Sequence, residues 1–453
     1  MAIVNGTTGA DNLTGTASAD TINLRAGDDT INGFVGADTI DGGTGVDTLV
    51  LTGTSADLNS ATDAQLVNME AVSASGATAA VSITLTAQTE GFSITGSAFG
   101  DTLTGGSGDD SFIGFAGADT LTGGLGTDTL ILTATSATLN TATDAQLVNM
   151  EAVSASGATA AVSITLTAQT EGFSITGSAF GDTLTGGSGA DSFMGFAGAD
   201  TVTGGGGADT IILTATSADL NSATDGQLVT VEAVSASGAA AGVSITLSNQ
   251  TEGFSITGGA FADTLTGGAG ADSINAGVGA DVINGFVGAD TIDGGADTDT
   301  LVLTATSATL NTALNTQLVN VEAVSASGAA GAVSITLTAQ TEAFSITGGA
   351  SGDTLTGGSG NDSFMGFVGA DTVTGGVGTD TIVLTATSAT LNAAADTQLV
   401  TVEAVSAAGA AGAVSITLTA QTEAFSITGG ASGDTLTGGS GADSFMGFVG
   451  ADT

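Results

Sequence analysis

The stretch "GGSGDDSFIGFAGADTLTGGLGTDTLIL", residues 105–132, carries the pattern that decides the fold. Within it an aspartate recurs every nine residues, at Asp110, Asp119 and Asp128, with a glycine two positions before each one and an apolar residue two positions after. A few extended residues make a short strand, and glycine permits the positive φ angles that tight turns require. The pattern predicts short strands alternating with turns, with two nine-residue units in each coil of a stack that has two parallel sheets.

A longer period covers the whole chain. The glutamate of "VNMEAVSASGA" recurs at separations of 81 or 90 residues, all multiples of nine, at Glu70, Glu151, Glu232, Glu322 and Glu403. The longer separation contains one additional nonapeptide, "AGVGADVIN" at 276–284, so nine residues is the physical unit. We therefore predict an all-β stack of five modules of 81–90 residues, each contacting only its neighbours.

Two kinds of segment alternate within the modules: blocks rich in Gly and Asp, and the spacers between them. The Gly-Asp blocks are predicted at 1–54, 101–132, 182–213, 263–303, 353–384 and 434–453. The spacers are predicted at 55–100, 133–181, 214–262, 304–352 and 385–433. Spacer segments such as "VSITLTA" and "FSITG" alternate apolar and hydroxyl residues, which predicts strands. The segment "SATLNTATDAQL", residues 136–147, predicts a helical turn.

Composition restricts the partners and the chemistry. The 453 residues include 46 acidic side chains and one basic residue, Arg25, which gives a formal charge of −45. Nucleic acid and anionic membranes would repel such a chain, whereas cations would be attracted. The chain has no His, Cys, Lys, Trp, Tyr or Pro, so thiolate, imidazole and amine chemistry is excluded, as are the usual zinc ligands. Because its acids form a repeated lattice and not one cleft, we expect no enzyme.

The chain shows no targeting or membrane-spanning signal. Its start, "MAIVNGTTGADNLTG", has neither the basic residues nor the apolar stretch of a signal peptide. No apolar run approaches the roughly 18 residues of a spanning helix. We therefore expect a soluble protein without membrane insertion.

The aspartates are expected to bind calcium. Burying one Leu or Ile side chain stabilises by about 1.5–3 kcal/mol, whereas ordering each residue costs about 1–2 kcal/mol, so apolar burial alone cannot stabilise a nine-residue unit. Stacking also places like charges in register. A hard cation between coils would reverse that repulsion. Calcium takes six to eight oxygen ligands, and glycine turns expose the backbone carbonyls that can join the carboxylates.

The units "GGSGDDSFI", "GGLGTDTLI" and "GGTGVDTLV" are similar to the GGxGxDxUx nonapeptide of the repeats-in-toxin (RTX) family, where U is a large apolar residue. This resemblance covers around half the chain. It implies a right-handed parallel β-roll, or β-solenoid, with calcium bound between turns one coil apart. It also implies type I secretion without an N-terminal signal, and therefore an extracellular or bacterial cell-surface location.

The resemblance assigns metal ligands residue by residue. Pairs one coil apart, such as Asp29 with Asp47 or Asp110 with Asp128, would share an ion, about 13 ions in all. The units close to the motif hold Asp29, Asp38, Asp47, Asp110, Asp119, Asp128, Asp191, Asp200, Asp209, Asp272, Asp281, Asp290, Asp299, Asp362, Asp371, Asp380, Asp443 and Asp452. Units with an eroded glycine pattern hold Asp11, Asp20, Asp101, Asp182, Asp263, Asp353 and Asp434.

Two departures from the motif predict weaker sites. Asp297 replaces the third glycine in "GGADTDTLV", which puts the site at Asp299 in doubt. Phenylalanine stands in place of the second glycine at Phe115, Phe196, Phe286, Phe367 and Phe448.

Three other repeated features have alternative interpretations. The glutamates of the "VNMEAV" type could ligate a further ion or bond to a neighbouring coil, but solvated side chains are favoured; the same holds for Glu90, Glu171, Glu252, Glu342 and Glu423. Ser/Thr columns could bind ice, but such residues also suit solvated strands. Phenylalanine pairs such as Phe193 with Phe196 and Phe364 with Phe367 are expected in the core, with an exposed contact surface as the alternative.

The sequence favours a secreted structural protein. Calcium would fold it outside the cell, and unpaired strand edges would let copies of the chain assemble into a surface layer, sheath or filament. The alternatives are the calcium-rigidified stalk of an adhesin and, less favoured, the secretion domain of an exported enzyme or an ice-binding solenoid.

Overall fold

The fold is an all-β parallel β-solenoid of very short strands, as the sequence predicts. The computed structural model describes residues 2–447 and 449–453, so Phe448 lies outside the described residues. The strands are two or three residues long, and the only α-helix in the described part of the chain is the four-residue helix α1, Ala218–Asn221. No helix within that part has the length and apolar character needed to cross a membrane.

The chain divides into two compact units. The first unit comprises residues 1–212 and 223–232, and the second comprises residues 213–222 and 233–453. The alternating blocks and spacers predicted from the sequence are not separate compact units by this division, and their boundaries stay a prediction.

The first unit contains 23 strands in the part of it that the structure describes. They are β1 (Ile3–Asn5), β2 (Asn12–Thr14), β3 (Thr21–Asn23), β4 (Thr30–Asn32), β5 (Thr39–Asp41), β6 (Thr48–Val50), β7 (Leu66–Val67), β8 (Ala71–Ser73), β9 (Ser82–Thr84), β10 (Ser93–Thr95), β11 (Thr102–Thr104), β12 (Ser111–Ile113), β13 (Thr120–Thr122), β14 (Thr129–Ile131), β15 (Leu147–Val148), β16 (Ala152–Ser154), β17 (Ser163–Thr165), β18 (Ser174–Thr176), β19 (Thr183–Thr185), β20 (Ser192–Met194), β21 (Thr201–Thr203), β22 (Thr210–Ile212) and β23 (Leu228–Val229).

The second unit contains 22 strands in its described residues. They are β24 (Ala233–Ser235), β25 (Ser244–Thr246), β26 (Ser255–Thr257), β27 (Thr264–Thr266), β28 (Ser273–Asn275), β29 (Val282–Asn284), β30 (Thr291–Asp293), β31 (Thr300–Val302), β32 (Leu318–Val319), β33 (Ala323–Ser325), β34 (Ser334–Thr336), β35 (Ser345–Thr347), β36 (Thr354–Thr356), β37 (Ser363–Met365), β38 (Thr372–Thr374), β39 (Thr381–Val383), β40 (Leu399–Val400), β41 (Ala404–Ser406), β42 (Ser415–Thr417), β43 (Ser426–Thr428), β44 (Thr435–Thr437) and β45 (Ser444–Met446).

Within each sheet, a strand pairs in parallel with the strand two places along the chain. Strand β12 lies between β10 and β14, and Phe112 pairs with Ile94 and Leu130, each 18 residues away. Strand β11 pairs in the same way with β9 and β13. Odd and even strands therefore form separate sheets within each unit, with one coil made of two nine-residue repeats.

The additional nonapeptide adds one strand. In the first unit the even-numbered strands β2 to β22 follow one another in one sheet, whereas the odd-numbered strands divide into four-stranded groups. In the second unit the uninterrupted set is the odd-numbered strands β25 to β45. The change of parity confirms that nine residues are the structural unit.

The spacers interrupt one sheet with two short helical turns. The segment 136–147 forms 3-10 helices at Leu139–Thr141 and Asp144–Gln146, which confirms the predicted helical turn. Asn140 connects the first of them to a strand, since its Nδ2 donates to Ser163 O at 3.2 Å and its Oδ1 accepts from Thr165 N at 2.8 Å. The other 3-10 helices are Leu58–Ser60, Asp63–Gln65, Asp225–Gln227, Leu310–Thr312, Asn315–Gln317, Leu391–Ala393 and Asp396–Gln398.

The core contains a column of apolar side chains from the centres of most strands, together with apolar side chains from the neighbouring turns such as Phe115 and Leu132. The side chains of Phe112, Leu121 and Leu130 are 0% exposed. The pairs that the sequence expected in the core are buried: Phe193, Phe196, Phe364 and Phe367. Another phenylalanine series, not singled out from the sequence, is about half exposed at the turns: Phe99, Phe180 and Phe261.

Candidate metal centre

The predicted metal aspartates form ladders in which each rung lies one coil from the next. Asp29 N–H donates to Asp47 Oδ1 at 2.8 Å, and Asp110 N–H donates to Asp128 Oδ1 at 2.8 Å. The ladders are buried, since almost all the predicted ligands have at most 4% of their surface exposed. Asp11, Asp443 and Asp452 are only half-buried. The structure therefore brings together in register the pairs that the sequence predicted.

The second carboxylate oxygen, Oδ2, divides the aspartates into two groups. In the first group a backbone N–H of the same turn donates to it, as from Gly106 to Asp110 at 2.7 Å and from Ala116 to Asp119 at 2.8 Å. We call these closed turns. They precede Asp11, Asp20, Asp38, Asp101, Asp110, Asp119, Asp182, Asp191, Asp200, Asp263, Asp272, Asp290, Asp353, Asp362, Asp371 and Asp434.

In the second group the turn takes positive φ at the fourth and second residues before the aspartate. Before Asp47, for example, Gly43 has φ 97° and Gly45 has φ 139°. We call these open turns. They precede Asp29, Asp47, Asp128, Asp209, Asp281, Asp299 and Asp380.

Six of the seven open turns leave a carboxylate oxygen without a partner. A buried Oδ2 finds no hydrogen-bond partner among the described residues at Asp29, Asp47, Asp209, Asp281, Asp299, Asp380 and also Asp452. A buried acceptor without a partner costs about 1–3 kcal/mol, and more when it is charged. These oxygens therefore need a cation or a proton.

Two pairs place one open turn directly on another: Asp29 with Asp47, and Asp281 with Asp299. Parallel backbone bridges join their turns at Ala26–Thr44 and Val278–Ala296. The turns stack so closely that a Cβ on Gly45 would overlap Gly27 O, and a Cβ on Gly295 would overlap Gly277 O. Carbonyl oxygens of one turn thus lie against the next turn in each of these pairs.

Asp297 keeps its turn open although it replaces a glycine. Its φ is 86°, and its side chain is exposed. The Oδ2 atom of Asp299 is buried and without a partner in the described structure, like that of Asp47. The weaker binding expected at Asp299 stays a prediction.

The candidate sites combine carboxylate pairs with backbone carbonyls. Among residues 2–447 and 449–453, no group of three or more acidic side chains is arranged to hold a metal ion. A search for clusters of acidic side chains alone would therefore miss a site in which backbone carbonyls supply some of the ligands.

Comparison with known families identifies the repeats. The model of the RTX calcium-binding nonapeptide repeat matches residues 5–33, 19–49, 95–130, 176–211, 255–283, 274–301, 347–382 and 426–453, which together make about half of the chain. The chain belongs to the RTX calcium-binding nonapeptide repeat family. A search of curated proteins found no match to it.

The residues present fit calcium, the ion that RTX repeats bind. A bound calcium ion supplies a hard divalent charge that accepts several carboxylate and carbonyl oxygens. Asp29 with Asp47, and Asp281 with Asp299, are the RTX pairs best suited to hold it, because both members of each pair have a partnerless Oδ2. The RTX turns that contain Phe115, Phe196, Phe286 and Phe367 are closed, so the carboxylates that follow them already accept hydrogen bonds. This agrees with weaker sites there, which stays a prediction.

Burial raises the pKa of the RTX aspartates. Desolvation, together with a smaller contribution from neighbouring carboxylates, raises the pKa to about 6 at Asp119, Asp128, Asp209, Asp281 and Asp290. Desolvation also raises the pKa above its ordinary value at Asp38, Asp47, Asp110, Asp191, Asp272, Asp299, Asp362, Asp371 and Asp380. Asp20 differs, because hydrogen bonds from the N–H groups of Ala2 and Thr16 lower its pKa.

The five module glutamates extend the ladders of this RTX chain. Asp47 N–H donates to Glu70 Oε2 at 2.7 Å, a bond that spans 23 residues of sequence. The favoured expectation of a solvated glutamate is therefore corrected to the alternative, a bond to the neighbouring coil. This bond could not be predicted from the nine-residue pattern, because the spacer lengthens the separation between bonded residues from 18 to 23 positions. The other series differs, since four of its members are exposed and Glu342 is half-exposed.

Proposed function

We propose that this chain is a secreted, non-enzymatic structural protein that folds outside the cell on binding calcium and assembles with copies of itself. A bacterial surface layer, sheath or filament is the proposed assembly. One observation carries the proposal: buried carboxylates stand in register one coil apart, with partnerless Oδ2 atoms at Asp29 and Asp47 and at Asp281 and Asp299.

Charge supports coupled folding and binding. With a formal charge of −45 and ladders of buried acids, the coils repel one another when no cation is present. Extracellular calcium modules bind at about 10⁻⁴–10⁻³ M, so millimolar calcium outside a cell is sufficient and the scarce calcium inside is not. Binding to the folded state alone then stabilises the fold. Such a chain would stay unfolded inside the cell and could be exported in that state by type I secretion, without an N-terminal signal.

Exposed apolar side chains support self-assembly. Leu125 and Val377, at corresponding turns of different modules, are each 71% exposed. The half-exposed Phe99 and Phe180 recur 81 residues apart. Repeated apolar positions on the surface suit repeated contacts with copies of the same chain.

Circular dichroism with and without calcium tests the folding proposal. We expect a disordered spectrum in calcium-depleted buffer and a β spectrum at millimolar calcium. Magnesium should not substitute, because it demands tight octahedral geometry. A β spectrum that persists at pH 7 without calcium would contradict calcium-dependent folding.

Electron microscopy of the same samples tests assembly. We expect ordered sheets or filaments in calcium and none after calcium removal. Dispersed monomers in calcium would contradict self-assembly and favour the adhesin-stalk alternative.

A further inference from the structure

Each complete Gly-Asp block meets the following spacer at an aspartate–glutamate contact. Five such contacts, which we call junctions, pair Asp47 with Glu70, Asp128 with Glu151, Asp209 with Glu232, Asp299 with Glu322 and Asp380 with Glu403. In each, the aspartate N–H donates to glutamate Oε2 at 2.7–2.8 Å. The glutamate N–H donates back to the aspartate carbonyl at 3.0–3.2 Å. Two acidic side chains are thereby held side by side.

Four of the five junction aspartates carry a partnerless oxygen. Asp47, Asp209, Asp299 and Asp380 are 0% exposed, and the Oδ2 atom of each is buried with no hydrogen-bond partner among the described residues.

In two blocks, the aspartate 18 residues before the junction aspartate already has hydrogen-bond partners for both of its carboxylate oxygens. Below Asp209, both oxygens of Asp191 already accept backbone N–H groups, from Phe173 at 2.7 Å and from Gly187 at 2.8 Å. Below Asp380, Asp362 accepts in the same way from Phe344 and Gly358. At Asp209 and Asp380, the carboxylate that remains to share a cation with the partnerless Oδ2 is therefore that of the junction glutamate.

A backbone carbonyl oxygen lies near the partnerless Oδ2 of the junction aspartate. A Cβ built on Gly42 would lie 2.6 Å from Asp47 Oδ2 and would overlap the carbonyl oxygen of Asn68. Gly294 has the same relation to Asp299 Oδ2, at 2.7 Å, and to Asn320 O. The partnerless oxygen and the carbonyl therefore lie close together, two residues before the glutamate.

The residue that supplies this carbonyl has a left-handed backbone at every junction. Its φ is 50° at Asn68, 47° at Asn149, 49° at Thr230, 50° at Asn320 and 48° at Thr401. Left-handed φ is unfavourable for a β-branched residue such as threonine. The conformation is nevertheless kept at all five junctions, where it directs the carbonyl toward the aspartate.

We propose that each junction is an additional calcium site, formed by the aspartate Oδ2, the carbonyl of the left-handed residue and the glutamate carboxylate. All three ligands are hard oxygens, which calcium prefers, and two carry charge. Unlike the sites between two RTX turns, this site closes a Gly-Asp block against its spacer. The inference rests on the proposed calcium-dependent function.

The test is a count of bound calcium in the full-length chain. The junction variant replaces Glu70, Glu151, Glu232, Glu322 and Glu403 by glutamine. Glutamine keeps an oxygen that can accept the aspartate N–H but removes the charge. The control variant replaces Glu90, Glu171, Glu252, Glu342 and Glu423 by glutamine, which changes the net charge equally. Equilibrium dialysis at fixed free calcium gives the number of ions, and circular dichroism shows whether each variant folds.

We expect the junction variant to bind five fewer ions per chain than the wild type, one for each junction. The control variant should match the wild type. Equal counts in the junction variant and the wild type would overturn the junction sites alone, and would indicate that a proton satisfies these oxygens. No calcium bound by the wild type would overturn the proposed function as well.

Single variants provide the second measurement if the fivefold variant does not fold. Glu232→Gln, where the preceding Asp191 is already satisfied by backbone N–H groups, should lose one ion. Glu252→Gln is its control, and an unchanged count in Glu232→Gln would overturn the proposal.

Discussion

Individual aspartates in this chain differ in what their second carboxylate oxygen contacts. Asp29 and Asp38 are both about 1% exposed and both belong to a ladder. Asp38 Oδ2 accepts the N–H of Val35 at 3.2 Å, whereas Asp29 Oδ2 has no partner in the described structure. Burial is equal in the two cases, so the turn conformation decides which carboxylate most needs a cation.

This difference predicts unequal effects of removing charge. Asp29→Asn should weaken calcium binding more than Asp38→Asn, because Asp29 faces the partnerless oxygen of Asp47. We expect roughly a tenfold or larger loss at the affected site, equivalent to about 1.4 kcal/mol. Isothermal titration calorimetry on the two variants measures this, and equal losses would contradict the distinction between open and closed turns.

Gly45 shows why open turns require glycine. Its φ is 139°, and a Cβ would overlap the carbonyl oxygen of Gly27 one coil below. Gly45→Ala should therefore destabilise the calcium-bound fold by about 1–3 kcal/mol. Gly76→Ala is the control, since a Cβ there meets no atom within 4 Å. Urea unfolding in calcium gives both values, and a Gly45→Ala protein as stable as Gly76→Ala would contradict the stacking of the turns.

At the scale of elements, most strands contribute one central side chain to the core and rely on the neighbouring coils to bury it. Strand β12 places Phe112 between Ile94 of β10 and Leu130 of β14. All three side chains are 0% exposed. Truncating one of these side chains would leave a buried gap between the coils.

Truncation of the core phenylalanine should therefore be costly. Phe112→Ala is expected to lower the free energy of unfolding by about 3–5 kcal/mol. Phe99→Ala removes a phenylalanine that is 45% exposed at a turn, and it should change stability by about 0.5 kcal/mol or less. Urea unfolding in saturating calcium compares the two, and similar losses would show that the column is not the core.

Strand positions could be predicted well from the sequence, because the same nine-residue pattern marks each one. Strand β14 begins at Thr129, directly after Asp128, and the apolar residue two positions after the aspartate is the buried one. The open or closed state of a turn could not be predicted, because it depends on contact with the turn 18 residues away. Asp110 follows three motif glycines, Gly105, Gly106 and Gly108, yet its turn is closed.

At the scale of the whole molecule, folding has to overcome the charge of the ladders. The pKa of several buried aspartates is about 6 in the fold, against an ordinary value of 3.8. Between these values the folded chain holds more protons than the unfolded chain. Protons can therefore partly replace calcium.

The raised pKa values predict that, without calcium, the fold is more stable at low pH than at neutral pH. A raised folded-state pKa stabilises the fold at low pH, and that stability is lost as the pH rises from about 4 to about 6. In calcium-depleted buffer the β signal should be stronger at pH 4 than at pH 7. In millimolar calcium, protons compete with the cation, so acid should weaken binding. Circular dichroism across this range checks both, and a β signal that rises with pH without calcium would contradict the burial of these carboxylates.

The amino-acid order alone determined the nine-residue unit, the parallel coils, the core positions and the choice of calcium, because each depends on a local pattern repeated many times. Only the tertiary structure decided which oxygens lack partners and that Glu70 and its equivalents occupy the rung after the last aspartate. The physical reason is that these contacts join residues 18 or 23 positions apart, across turns whose backbone conformation depends on the coil beside them.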